Sequence, residues 1–390
     1  MSTMTSTAEV LPVESSSTDL LKRPAAMKMR QYYRPELDIL RFFAFLAVFL
    51  HHGIYQLSPT FSKLGAYGLS LFFLLSAFLI TELLQREKQA TGRISIREFY
   101  VRRTLRIWPL YFGFLAFAVG LAVVFPSHRA AWGFLLSFAF MIGNVYIGRH
   151  GFPNSPAGFL WSISVEEQFY LFWPLLSHRC GRRTLSLIAL CTFPLAGLTI
   201  VVLTANHATA NIGIWTNSLV EFQFFAFGIL LSLGLNGSIP DFSARSRVAL
   251  LATGIALWLV AARATGVSNV GTTAALGPLI GYYVIGFGCV AFFLGAYGME
   301  RRWLPAPILY LGKISYGLYV FHQFSLELAG WILNRNTATA SETHHTVYGI
   351  GHVFLGFLLT VVAATISYRY FETPFLKLKE KFTIIHARSV

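Results

Sequence analysis

The stretch ELDILRFFAFLAVFLHHG, residues 36–53, places Arg41 and His52 eleven residues apart. On an α-helix that spacing returns to within ~20° of the same face, about 16 Å along the axis. One helix stripe then carries a guanidinium near one end and an imidazole deep in the apolar run. Imidazole titrates near neutral pH and suits proton abstraction from a hydroxyl. A guanidinium three turns away suits a phosphate, which it grips bidentately. Asp38 and Glu36 sit about one turn before Arg41, where they can orient it. The plainer alternative is a polar set that hydrogen-bonds to neighbouring helices and holds a bundle together. His51 beside His52, both in register with Arg41, favours chemistry.

Two further clusters point the same way. In FYVRRTLRIWPLY, residues 99–111, Arg103 and Arg106 are three apart and share a helix face, with Tyr100 and Trp108 nearby. Two arginines so placed suit the phosphates of a nucleotide-bearing donor; the alternative is ordinary basic flanking with lipid headgroup contact. In WSISVEEQFYLFWPLL, residues 161–176, Glu166 and Glu167 fall mid-stretch in an apolar segment. One carboxylate can orient a histidine or bind sugar hydroxyls while the other pairs with an arginine. Glu221, His322 and His352 each stand alone and read as satisfied core groups.

The elements that carry these residues are membrane helices. Hydrophobic residues make up 55% of the 390 and charged residues 12%, with a mean hydropathy of +0.57. Soluble domains carry about a quarter charged residues. Ten stretches read as spans: about 37–57, 65–85, 107–125, 157–177, 184–204, 216–236, 247–265, 272–297, 308–331 and 347–369. The segment 131–147 is also apolar, but a crossing there would put Arg179, Arg182 and Arg183 outside. It is read as a re-entrant or interfacial helix in an external loop, 126–156. Lys and Arg then cluster on alternate connections (22–34, 86–106, 179–183, 245–247, 301–302, 377–381), with Lys63, Arg129, Arg149 and Arg335 as exceptions. That pattern predicts cytoplasmic termini.

The expected architecture is therefore all-α, a polytopic membrane helix bundle. Residues 1–32 form a Ser/Thr-rich disordered cytoplasmic segment without signal-peptide character, 33–376 the membrane domain, and 377–390 a basic cytoplasmic tail. The net charge of +14 sits in the connections, which argues against a nucleic-acid partner. Cys180, Cys191 and Cys289 have no disulfide or zinc spacing, and no metal is expected. Ionisable groups inside lipid cost several kcal/mol and mark functional interiors. A transporter is the alternative of another class, but no internal repeat of the transporter kind is visible.

Six segments, in order, resemble the acyltransferase-3 family of integral membrane acyltransferases: YRPELDILRFFAFLAVFLHH, LFFLLSAFLITELL, FYVRRTLRIWPLY, WSISVEEQFYLFWPLL, GKISYGLYVFH at 312–322 and FETPF at 371–375. The resemblance covers about 33–376. It implies ten helices with cytoplasmic termini in the cell (inner) membrane, and transfer of an acyl group, most commonly acetyl, from acyl-CoA to a hydroxyl of a glycan, a lipid-linked sugar or another acceptor. It implies His52 rather than His51 as the catalytic residue, Arg103 and Arg106 as the Arg-x-x-Arg of the donor site alongside Arg41, mid-membrane Glu166 and Glu167, and Glu372 with Pro374 as the late Glu-x-Pro. Acyl-CoA is a donor substrate; no permanently bound cofactor is implied. Ile39 and Ala77 stand where the family usually has glycine, which bears on helix packing. Some relatives carry an added extracytoplasmic hydrolase-like domain, so the chain is expected to act alone or with a glycan-assembly partner protein. The His-x4-Asp signature of soluble acyltransferases is absent: Gln56 and Leu57 occupy those places. His52 acting as base and a covalent acyl-histidine are both compatible with the sequence. Trp161, Tyr146 and Trp215 are candidates to stack on sugar rings.

Overall fold

The structure is a computed structural model that describes residues 32–54, 58–128, 130–205, 212–267, 275–333, 342–383 and 385. The described residues form helices and connections, with no strand. In chain order the α-helices are α1 (Pro35–Gly53), α2 (Pro59–Ala66), α3 (Gly68–Thr91), α4 (Ile96–Val124), α5 (Trp132–Ala139), α6 (Gly143–His150), α7 (Trp161–Arg179) and α8 (Arg182–Ala205). They continue with α9 (Ile212–Trp215), α10 (Ser218–Leu235), α11 (Ala244–Ala264), α12 (Leu276–Ala296), α13 (Ala306–Lys313), α14 (Ser315–Ile332), α15 (Glu342–Ile366) and α16 (Thr373–Glu380).

Seven helical stretches are long and apolar enough to cross a membrane: Phe61–Thr91, Ile96–Val124, Arg182–Ala205, Ser218–Leu235, Ala244–Ala264, Leu276–Ala296 and Val347–Glu380. The chain is thus an all-α polytopic helix bundle. Helices α1, α7 and α14 have 19, 19 and 18 residues, about 27–29 Å at 1.5 Å per residue, but are more polar. These three carry Arg41 with His52, Glu166 with Glu167, and His322. A polar helix is stable at membrane depth when its polar side faces the bundle interior. Each of the ten stretches expected to span overlaps one of these ten helices.

Apolar side chains cover the outside of the bundle, among them Phe117 on α4, Leu198 on α8, Phe287 on α12 and Phe354 on α15. In lipid such surface has no reason to be buried. The interior is built around α1 and α3. Helix α3 packs on α10, α1 and α12; α1 also packs on α2, α13 and α14, and α14 packs along α15. Ala77 is fully buried on α3 and faces Gly228 of α10, where an added Cβ would come within 2.2 Å of Leu74 O. Room for the side chain at position 77 comes from the glycine opposite.

The boundaries differ from the sequence expectation in informative places. Residues 131–147, expected as a single helix that does not cross, are divided in two. They fall largely in α5 and α6, eight residues each, about 12 Å and too short to span. The stretch 308–331 is broken at Ile314 into α13 and α14. Helix α4 starts at Ile96, eleven residues before the expected span, so Arg102, Arg103 and Arg106 lie on it and not in a connection ahead of it. The segment 1–32 lies outside the described residues except Tyr32, which is buried under the Arg86 guanidinium at 4.1 Å from its ring centroid. The expected tail, 377–390, begins inside α16, whose Lys379 joins the lining of the central cavity; 384 and 386–390 lie outside the described residues.

Candidate active site

The site is a cavity between α1, α3, α4, α7 and α14, lined at one end by α16. Its basic end is lined by Arg41, Arg103, Arg106 and Lys379, and its deep end by Ser162 and Tyr319.

At the basic end Arg41 Nη1 donates to Asp38 Oδ1 at 2.9 Å, and Tyr33 OH donates to Asp38 Oδ2 at 3.1 Å. Asp38 therefore orients Arg41, as its place one turn earlier on α1 implies. Helix α13 passes directly over this carboxylate's backbone: a Cβ on Gly312 would lie 1.9 Å from Asp38 O. Only glycine permits that approach. Glu36 points elsewhere and accepts from Gly298 N at 3.1 Å.

On α4 the three arginines have different roles. Arg102 is committed to structure, donating to Glu87 Oε2 at 2.8 Å and to Phe382 O at 2.9 Å. Those two bonds tie α3 and the segment after α16 to α4. Arg103 lies over the rings of Tyr170 and Phe99, at 5.3 and 5.6 Å to the centroids. Among the described residues neither Arg103 nor Arg106 has a carboxylate within salt-bridge distance. Two guanidinium groups in a cavity without carboxylate partners have the chemistry to hold an anion.

The adjacent glutamates diverge because neighbours on a helix differ by 100°. Glu166 faces the cavity, where its Oε1 accepts from Ser76 Oγ and, at 2.8 Å, from Tyr170 OH. Glu167 faces α4, accepting from Trp108 Nε1 at 3.0 Å, and its Oε1 has no partner. Neither is bonded to His52, so the expected carboxylate–imidazole contact is not made. Glu372 sits in a π-helical turn, Ser367–Glu372, and accepts from Ser367 Oγ at 3.0 Å. It packs where a Cβ on Gly317 would be 3.3 Å from its Oε1. This places it at the α14–α15 junction and outside the cavity lining.

Beyond the deep end lies a layer of rings. His52 contacts His51 and Phe159 at 4.5 Å each and His322 at 5.3 Å, centroid to centroid. His51 is tied to α2 instead. Ser62 Oγ donates to His51 O at 2.8 Å, and His51 Nδ1 lies 2.8 Å from Ser62 O, to which it must donate. A Cβ on Gly65 would meet His51 N at 2.8 Å, so α2 lies close against this residue. His52 is thus the histidine left to face the centre. Next to His322, Tyr319 OH donates to Phe159 O at 2.9 Å and lies 2.6 Å from Ser162 Oγ.

Sequence reasoning missed part of this layer. His322 does not stand alone, and one of its nitrogens is unsatisfied; the expectation of an isolated, satisfied core group is corrected. The signal was present in GKISYGLYVFH, which carries both Tyr319 and His322, but its contact with α1 is tertiary. Glu221 is likewise buried with both carboxylate oxygens unpartnered. His352 does behave as a satisfied group, with Nε2 2.9 Å from Leu326 O. Trp161 is buried and therefore no open platform for a sugar ring.

Comparison with known proteins identifies the family of the chain. Similar chains include O-acetyltransferase OatA of Staphylococcus aureus (strain NCTC 8325 / PS 47), 26% identical over 379 residues, covering 88% of this chain and 57% of the relative. A putative O-acetyltransferase, SAS0844, of S. aureus (strain MSSA476) is 24% identical over 394 residues, covering 90% and 58%. The chain therefore spans less than two thirds of the length of these relatives. No solved structure matches it. The family described as an acyltransferase domain, acyltransferase-3, matches residues 34–369, a range that takes in α1, α3, α4, α7 and α14 with every cavity arginine and His52. On that match the chain belongs to the acyltransferase-3 family of membrane acyltransferases.

Proposed function

We propose that the protein is an O-acyltransferase of the cell (inner) membrane, with ten crossings and cytoplasmic termini, that moves an acetyl group from acetyl-CoA to a hydroxyl of a glycan or lipid-linked sugar. The observation that carries this reading is the cavity itself. It begins among Arg41, Arg103, Arg106 and Lys379 and reaches Ser162 and Tyr319, beside the His52 ring layer. The names of the similar staphylococcal proteins support acetyl as the acyl group.

The donor's phosphates dock on the guanidinium groups of Arg103 and Arg106, with Arg41 held ready by Asp38. The pantetheine arm runs past Glu166 and Tyr170 toward the histidines. The acceptor hydroxyl enters from the opposite side. Its oxygen attacks the thioester carbonyl while His52 takes the hydroxyl proton; the carbon–sulfur bond breaks, and the proton ends on the departing thiolate. Burial of the centre excludes water, which would otherwise compete as acceptor.

The test uses purified protein in nanodiscs with radiolabelled acetyl-CoA, first alone and then with crude cell-envelope glycans. CoA release and labelled glycan that disappear in His52→Ala are the expected result. Folded protein that neither binds nor consumes any of a panel of acyl-CoAs would refute the proposal.

A further inference from the structure

A histidine buried in a membrane bundle ordinarily has both ring nitrogens bonded. His322 is fully buried and does not. Its Nδ1 lies 2.5 Å from Tyr319 O. A carbonyl oxygen only accepts, so Nδ1 carries the ring hydrogen and Nε2 is left as a lone pair. That Nε2 has no partner.

The ring that faces it is His52, with centroids 5.3 Å apart and planes inclined by 37°. No bond joins the two rings in the structure, but at that separation a rotation that turns in-plane nitrogens toward one another brings them within hydrogen-bond reach. Phe159 packs against both rings, at 4.5 Å from His52 and 5.9 Å from His322. Tyr319 ties the arrangement to the cavity. Its carbonyl sets the tautomer of His322, and its hydroxyl is held by Phe159 O and Ser162 Oγ at the cavity's deep end. His52 itself is held by rings and not by a carboxylate, since Glu166 and Glu167 are bonded elsewhere.

We propose that His322 is the positioning residue of the transfer site: its Nε2 lone pair accepts the N–H of His52, so that the other His52 nitrogen meets the acceptor hydroxyl as a base. This rests on the acyltransferase reading above. In the transfer step the acceptor oxygen bonds to the acyl carbon and its proton moves to the free His52 nitrogen. The carbon–sulfur bond breaks with its electron pair going to sulfur, and His52 returns the proton to the thiolate. While His52 carries both hydrogens, the bond to His322 holds the ring in place and takes part of its positive charge, the task of the orienting third group in nucleophile–base–orienter sites. A neutral acceptor does this without placing a second charge in the membrane interior.

The experiment uses the full chain in nanodiscs with acetyl-CoA and crude cell-envelope glycans, following CoA release. His322→Leu removes the acceptor atom and His322→Gln keeps one. His322→Leu is expected to lower kcat by about 10–100-fold, the range for loss of an orienting partner, with KM for acetyl-CoA unchanged. His322→Gln should recover much of the loss. Combining His322→Leu with His52→Ala should be no slower than His52→Ala alone, because groups that act as a unit are not additive. In 15N-histidine NMR, wild-type His52 should show one dominant tautomer, lost in His322→Leu. Wild-type kcat in folded His322→Leu, or mixed tautomers of His52 in the wild type, would overturn the proposal. The wild-type spectrum decides the matter even where His322→Leu fails to fold. Wild-type protein that ignores acetyl-CoA would sink the acyltransferase reading, while the tautomer would still report on the His52–His322 pair.

Discussion

The guanidinium of Arg103 lies 5.3 Å over the ring of Tyr170, and the hydroxyl of that same tyrosine donates to Glu166 at 2.8 Å. One tyrosine thus links the arginine end of the cavity to its middle: its ring face supports the cation and its hydroxyl satisfies the carboxylate. The planar guanidinium is suited to the ring in a way that an ammonium is not.

Arg103→Lys should therefore behave as a disruptive change. Loss of a charge-assisted hydrogen bond is worth about 1.5–3 kcal/mol, so KM for acetyl-CoA should rise by about 10–150-fold with a smaller effect on kcat. Titration calorimetry with acetyl-CoA on purified wild type and variant checks this. Equal affinities would remove Arg103 from the donor site.

The two adjacent glutamates should separate cleanly. Glu166→Ala strands the hydroxyls of Ser76 and Tyr170 inside the bundle. It should cost about 1–3 kcal/mol of stability, the penalty for unsatisfied buried groups, together with activity. Glu167→Gln keeps an acceptor for Trp108 Nε1 and should stay within about threefold of wild-type activity, consistent with a modest net hydrogen-bond change. Thermal unfolding and CoA-release assays of both variants decide; matching phenotypes would contradict the divergence of the two side chains.

His51 and His52 should likewise part company. Ring loss at His51 removes the bond to Ser62 O that ties α1 to α2 and an edge contact to His52, but leaves His52 and its neighbour His322 in place. His51→Ala should lower the melting temperature while kcat falls less than tenfold. His52→Ala should lower kcat by about 10²–10⁴-fold, the usual contribution of a general base. Steady-state kinetics beside unfolding curves would expose a reversal of these roles.

Gly312→Ala tests how the arginine end is held. The new Cβ would fall 1.9 Å from Asp38 O, so α13 must move off α1. Overpacking of this kind costs about 1–3 kcal/mol. Because Asp38 orients Arg41, KM for acetyl-CoA should rise along with the loss of stability. Unchanged stability would mean that the α1–α13 approach is looser than described.

Lys379 extends the basic end from a segment expected to be only a tail. It lines the cavity with Arg103 and Arg106. Lys379→Ala should raise KM for acetyl-CoA, more strongly at low ionic strength, where charge interactions are less screened. A salt series of initial rates checks it; no change at any ionic strength would place Lys379 off the donor's path.

What the sequence alone determines here is local and periodic. Apolar runs of membrane length define the all-helical bundle. The eleven-residue interval of Arg41 and His52, and the Asp38–Arg41 turn, follow from 3.6 residues per turn without reference to any other helix. The same holds for Arg103 and Arg106. Tertiary structure decided the rest, because it depends on which helices touch. Glu166 and Glu167 look equivalent in sequence, yet one turns to the cavity and the other to Trp108. His51 and His52 are neighbours, yet α2 claims the first. His322 lies 270 positions after His52, and only the packing of α14 on α1 brings their rings to 5.3 Å. Helical periodicity tells which face a residue occupies; the partner across that face is set by long-range packing, which a lone histidine in an apolar run does not reveal.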